Sequence, residues 1–144
     1  MSVKIPVSYG EMFDRLTILQ LKQEKITSPS AAQNIEYELS WLETAREDVV
    51  GFALAARDDG NAAARGLDRL VEDLLQVNRK LWEIEDTLRG YEAAGRFDDA
   101  FIQAARSVYF TNDRRSELKR EISTLLGSDI MEEKQYTPYP GEIG

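Results

Sequence analysis

The chain has 144 residues, 42% of them hydrophobic, which suits one domain able to bury a core without disulfides or structural metal. Its formal net charge of -8 repels a phosphate backbone, and no Lys/Arg run reverses that field locally, so nucleic acid is excluded as an expected partner. The absence of cysteine and histidine excludes thiolate catalysis, Cys-type zinc centres and His-assisted nucleophiles, and neither a metal nor a cofactor is expected.

The N-terminal MSVKIPVSYGEM lacks an apolar h-region, and no segment approaches the roughly 18 apolar residues of a membrane span. A cytoplasmic protein without membrane contact is expected. Val3, Ile5 and Val7 alternate around Pro6, which predicts a short extended lead-in. Ser8 and Glu11 in S-Y-G-E then form a capping box that opens a first helix, carried by Met12, Phe13, Leu16, Leu19 and Ile26 and ending near Thr27. Ser28-Pro29 starts a second, with Ser28 as N-cap and Pro29 at the first helical position; its apolar row is Ile35, Leu42, Val49 and Ala56, with Leu39, Ala45 and Phe52 beside it, broken by ARDDGN.

From Asn61 the third segment carries Leu67, Leu70, Leu74, Val77, Leu81, Ile84, Leu88 and Tyr91, alternating three and four residues apart. This predicts a long helix with a coiled-coil-like seam. AAGRFD ends it, with Gly95 as a left-handed cap and Asp98 as the next N-cap, and so short a turn makes the fourth helix antiparallel to the third. The fourth keeps register through Phe101, Ala104, Val108, Thr111, Arg115, Leu118, Ile122 and Leu125. Because Leu118, Ile122 and Leu125 stay in phase with Val108, Thr111-Asn112-Asp113 is read as the interior of one continuous helix. Residues 1–127 then form one helical-bundle domain, and residues 128–144, rich in Pro, Gly and Tyr, an extended C-terminal tail that packs Ile130, Met131 or Tyr136 onto the bundle. The fold class expected is all-α: a four-helix, largely antiparallel bundle in which the long third and fourth helices form a spine and the first two, shorter, pack against it.

Two of the eight seam positions of the fourth helix are polar. With the hairpin turning near residues 95 and 96, Arg115 stands level with Val77 and Asn78, which predicts a polar stratum of Asn78, Thr111, Asn112 and Arg115 bordered by Trp82 and Tyr109. Glu85 lies two turns away. A guanidinium inside a bundle needs acceptors, here from the first two helices, a partner subunit or an anionic ligand. One reading is that the layer fixes register or oligomeric state. The other is a pocket between helices in which Arg115, Asn112 and Asn78 bind a carboxylate or phosphate, Arg15 and Lys22 add positive charge, and Asp113 or Glu85 acts as acid or base.

Two weaker patterns compete with plain solvation of a helix face. Glu83 and Asp86 share a helical face, as in all-helical nucleotide pyrophosphohydrolases that hold magnesium, but the upstream E-E-x-x-E of those enzymes is missing, and solvated face charge is the better reading. Arg15 and Lys22 are similar to the dicarboxylate grip of all-helical chorismate mutases, whose remaining pattern cannot be placed. KQYTPYPGEIG reads either as a recognition tail or as a fraying end.

With IPVSYGEMFDRLTILQLKQEKI, NRKLWEIEDTLR, ARSVYFTNDRRSELKREI and LLGSDIMEEKQY, the chain resembles a small bacterial all-helical family catalogued as a domain of unknown function. That resemblance brings no catalytic residue or cofactor. Its relatives' neighbourhood of surface-polysaccharide genes implies sugar nucleotides as anions to try. The leading expectation is a non-enzymatic interaction or regulatory module, a homodimer or bound to a protein partner. The alternative is a binding or catalytic site for a small anionic ligand in the polar layer.

Overall fold

The computed structural model describes residues 1–140 and contains four helices: α1 (Tyr9–Lys25), α2 (Pro29–Ala55), α3 (Gly60–Ala93) and α4 (Asp99–Leu126). No strand occurs among the described residues, and the lead-in before Ser8 has no regular structure. The chain is all-α, as its periodicity predicts, and α4 runs unbroken through Thr111–Asp113.

Local chemistry sets the helix ends. Ser8 caps α1 by accepting from the Glu11 amide (3.1 Å), but the reciprocal arm of the expected box is given up: the Glu11 carboxylate takes Lys119 and Arg15 instead. The first helix stops at Lys25, two residues before Thr27: Ile26 turns extended (φ -97°, ψ 124°), its amide still closing on Lys22 O at 2.9 Å, and the chain reverses within Ile26–Ser28. At α3 and α4 the ends match. Gly95 (φ 62°) and Gly127 (φ 70°) are left-handed, and the following amides return to Tyr91 O (2.9 Å) and Ser123 O (2.8 Å), six-to-one closures that satisfy carbonyls of the last turn. Asp98 accepts from the Phe101 amide at 3.3 Å and starts α4.

α3 and α4 form the most extensive helix pair, the expected spine, but the other two helices are not both short. At 27 residues α2 is nearly as long as α4 with 28, and it leans chiefly on α1. Only α1 is short, and it is the central element, the most deeply buried of the four and packed substantially against each of the others. Its buried side chains therefore cover most of its circumference: Met12, Phe13, Leu16 and Leu19 join Ile35, Leu39, Leu67, Leu74, Leu118, Ile122 and Leu126 in one core. On another face the row Gly10, Asp14, Thr17, Leu21 is equally buried. α1 runs antiparallel to α4, Gly10 meeting Ser123 and Asp14 meeting Arg115.

Beyond the level of Asn78 and Thr111 no residue of the α3–α4 hairpin is fully buried; α1 runs on for about two more turns, pairing Glu24 with Arg79 and setting Lys25 over Trp82, and the hairpin extends past its end. The tail leaves α4 at Gly127 and returns along it to Pro140; Met131 is half-buried, Ile130 and Tyr136 are exposed, and residues 141–144 of the expected tail, with the end of KQYTPYPGEIG, lie outside the described residues. Among the described residues no helix is long and apolar enough to cross a membrane.

Candidate functional site

The polar layer exists, and its centre is a residue of α1. Asp14, 2% exposed, accepts a hydrogen bond from Asn78 Nδ2 at 2.9 Å on one carboxylate oxygen, and its other oxygen forms an ion pair with Arg115 Nη2 at 3.1 Å. Asn78 also donates to Thr17 Oγ1 (2.9 Å), and that hydroxyl donates to the Asp14 carbonyl (2.9 Å). Asn112 Oδ1 accepts from Arg115 Nη1 at 3.4 Å, and Thr111 is buried alongside. Arg115 thus finds its counter-ion on the first helix, and its side chain, 31% exposed, is held from the buried side. A carboxylate so buried is tolerated because its oxygens are occupied by charged and amide donors.

A second knot adjoins it. Lys119 Nζ lies 2.6 Å from Glu11, 3.0 Å from Glu132 of the tail and 4.0 Å from Asp14, and Ser8 Oγ donates to Glu132 at 2.6 Å. Burial raises the Glu11 carboxyl, but hydrogen bonds from Lys119 and Arg15 outweigh it and hold its pKa below the usual 4.5. Burial likewise lowers the Lys119 ammonium, and its bonds to Glu11 and Glu132 overcome that and raise its pKa above 10.5. A depressed acid stabilises above its unfolded pKa and ceases to as pH falls through the folded one; a raised base stabilises below its unfolded pKa and ceases to as pH rises through the folded one. Thermal melts should therefore plateau between about pH 5 and pH 10 for this pair, with Glu11→Gln lowering the plateau and flattening the acid limb. An unchanged acid limb in Glu11→Gln would remove Glu11 from the pH response.

Between α4 and the returning tail lies a cleft of about 1000 Å³, lined by Arg115, Asn112, Tyr109 and Asp113 from the predicted set. Lys119, Lys134, Tyr136 and Tyr139 join them there. The Tyr139 hydroxyl donates to Asp113, which pushes the tyrosine up to about 12, and Lys134 Nζ reaches Asp113 at 3.4 Å and Ser116 at 3.1 Å. Among the described residues no group of three or more carboxylates gathers as a metal site.

The remaining candidates stand elsewhere. Arg15 is paired with Glu11 on the surface, Trp82 lies under the Lys25 ammonium (5.9 Å), and Glu85 is exposed on the far half of the hairpin. Lys22 lines neither the layer nor the cleft. Asp14, Thr17, Lys119 and Lys134 escaped the sequence reading. The spacing Gly10, Asp14, Thr17, Leu21 was a signal for the first two, since it traces one helical face as regularly as the apolar row does.

A separate surface feature lies on α2. Tyr37 (66% exposed), Trp41 (58%) and Phe52 (80%) stand on the face turned away from Ile35 and Leu39. Tyr37 and Trp41 pack edge to face with centroids 6.4 Å apart.

The chain belongs to the family of unknown function DUF6165, whose model matches residues 3–141. No curated protein and no solved structure matches it.

Proposed function

We propose that this chain is a non-enzymatic interaction module that works as a homodimer, two copies pairing antiparallel along the outer faces of α2. The observation that carries this is the aromatic row Tyr37, Trp41, Phe52, whose members are large, solvent-exposed and on one face of a single helix. Trp and Tyr are over-represented where proteins meet, since they bury much area for little rotamer entropy. The row is also self-complementary about a two-fold axis. Tyr37 and Phe52 are equidistant from the midpoint between Thr44 and Ala45, and so are Trp41 and Asp48. An antiparallel copy would therefore set Tyr37 against the other Phe52, and the Trp41 indole N–H against the other Asp48, over a centre of small residues that lets the helices approach. A helix of this length, about 40 Å, supplies an interface on the order of 900 Å², the range of weak, reversible dimers. The missing histidine and cysteine are consistent with a role other than catalysis.

Sedimentation velocity over a concentration series tests it. The wild type should associate reversibly, Trp41→Glu and Phe52→Glu should stay monomeric with unchanged helical circular dichroism, and Phe97→Glu, equally exposed but at the hairpin turn, should behave as wild type. A wild type monomeric throughout, or a dimer indifferent to Trp41→Glu, would overturn the proposal.

A further inference from the structure

The geometry points to a binding site for a phosphorylated small molecule in the cleft between α4 and the tail, independent of the α2 surface. Three cations, Arg115, Lys119 and Lys134, line that cleft against one carboxylate, Asp113, in a chain whose net charge is -8. None is bare: Arg115 leans on Asp14, Lys119 on Glu11 and Glu132, and Lys134 on Asp113. The strength of those pairs is uneven. Asp14 lies behind the cleft wall, 2% exposed, and fixes the guanidinium from its inner side, so Asp14 and Asn78 act as positioning residues. The Lys134 contact is long (3.4 Å) and about a third exposed, and Glu132 sits on the solvent-exposed tail, so both ammonium groups can exchange a carboxylate for a ligand oxygen.

The chemistry of the donors favours phosphate over carboxylate. A singly charged planar carboxylate is satisfied by one edge of a guanidinium, whereas a phosphate monoester presents close to two charges and oxygens in three directions. Here a planar fork, two ammonium groups and the Ser116 hydroxyl share one wall system. The rest of the molecule would meet Tyr109, Tyr136 and Tyr139, phenol rings that suit a planar or hydroxylated organic body. Phosphate is thus the anchor, and the tyrosines set what it is attached to.

Calorimetric titration of the full chain at low ionic strength with phenyl phosphate, inorganic phosphate and benzoate tests this. Phenyl phosphate should bind, tighter than inorganic phosphate, and benzoate should not. Lys134→Gln, a change on the tail outside the core, should weaken phenyl phosphate roughly tenfold, the worth of one charge-assisted hydrogen bond. Arg115→Gln should weaken it further, and Arg96→Gln, paired with Asp98 at the hairpin turn, should leave it unchanged. Affinity should also rise as pH passes the second phosphate pKa of about 6, since the chain has no histidine to titrate there. Absence of binding by all three probes at millimolar concentration would overturn the inference. So would benzoate binding as well as phenyl phosphate, or Lys134→Gln binding as wild type does. Because no α2 residue takes part, loss of phosphate binding and loss of dimerisation are separable results.

Discussion

Asp14→Ala is expected to destabilise the fold by about 3 kcal/mol, the cost of breaking a buried charge pair on one side. The carboxylate removed accepts from Asn78, is the counter-ion of Arg115 and lies 4.0 Å from Lys119. Without it the Asn78 amide, 4% exposed, keeps only Thr17, and the Arg115 guanidinium must turn outward to water, which its partial exposure allows. For a chain of this size that free energy corresponds to a fall of roughly 6–12 °C in melting temperature. The layer as a whole is a different matter. Converting Asp14, Asn78 and Arg115 together to leucine should restore most of the loss, since well-packed hydrophobes often match a buried ion pair in stability. Arg115→Leu alone should do worse than the triple variant, because it strands the Asp14 carboxylate. Urea titration of the four proteins decides. Asp14→Ala within about 1 kcal/mol of wild type would mean that Arg115 and Asn78 repair themselves at little cost.

Gly10→Ala is expected to cost about as much, for a steric reason. By helix propensity alone the change would gain about 1 kcal/mol. At this position the new Cβ would fall 2.7 Å from the carbonyl carbon and 2.9 Å from the Cα of Lys119, backbone atoms of α4 that cannot rotate aside. Relief requires α1 to move off α4, and the contacts at that crossing would stretch together: Gly10 N–H to Ser123 Oγ (2.8 Å), Glu11 to Lys119 (2.6 Å) and Asp14 to Arg115 (3.1 Å). Gly90→Ala is the control, since a Cβ there meets nothing within 4 Å and should stabilise by up to about 1 kcal/mol. If both glycine variants melt higher than wild type, α1 and α4 have more room than the structure shows.

Arg115 was visible in the sequence because it interrupts an apolar rhythm that resumes beyond it. Its partner was not, because Asp14 interrupts nothing: between Phe13 and Arg15 it reads as one more charge on a short amphipathic helix. The neighbouring Arg15, which charge alone made attractive, is half exposed and holds Glu11. One helical position, about 100° of rotation, separates the two outcomes. The tail is similar. Its composition gave an extended segment, whereas Lys134 and Tyr139 join Asp113 through contacts spanning 21 and 26 residues.

The sequence by itself determined the four helices, the Gly95–Asp98 turn, the continuity of α4 and the height of the polar layer, because caps, left-handed glycines and apolar period act within a few residues of chain. Only the tertiary structure decided that α1 is the central helix, that Asp14 faces α4, that Gly10 is a point of backbone contact and that Lys119 and Lys134 share a cleft with Arg115. Those depend on how each helix is rotated about its own axis. That rotation is fixed when all the buried faces of α1 are satisfied at once, and no local stretch of chain carries that information.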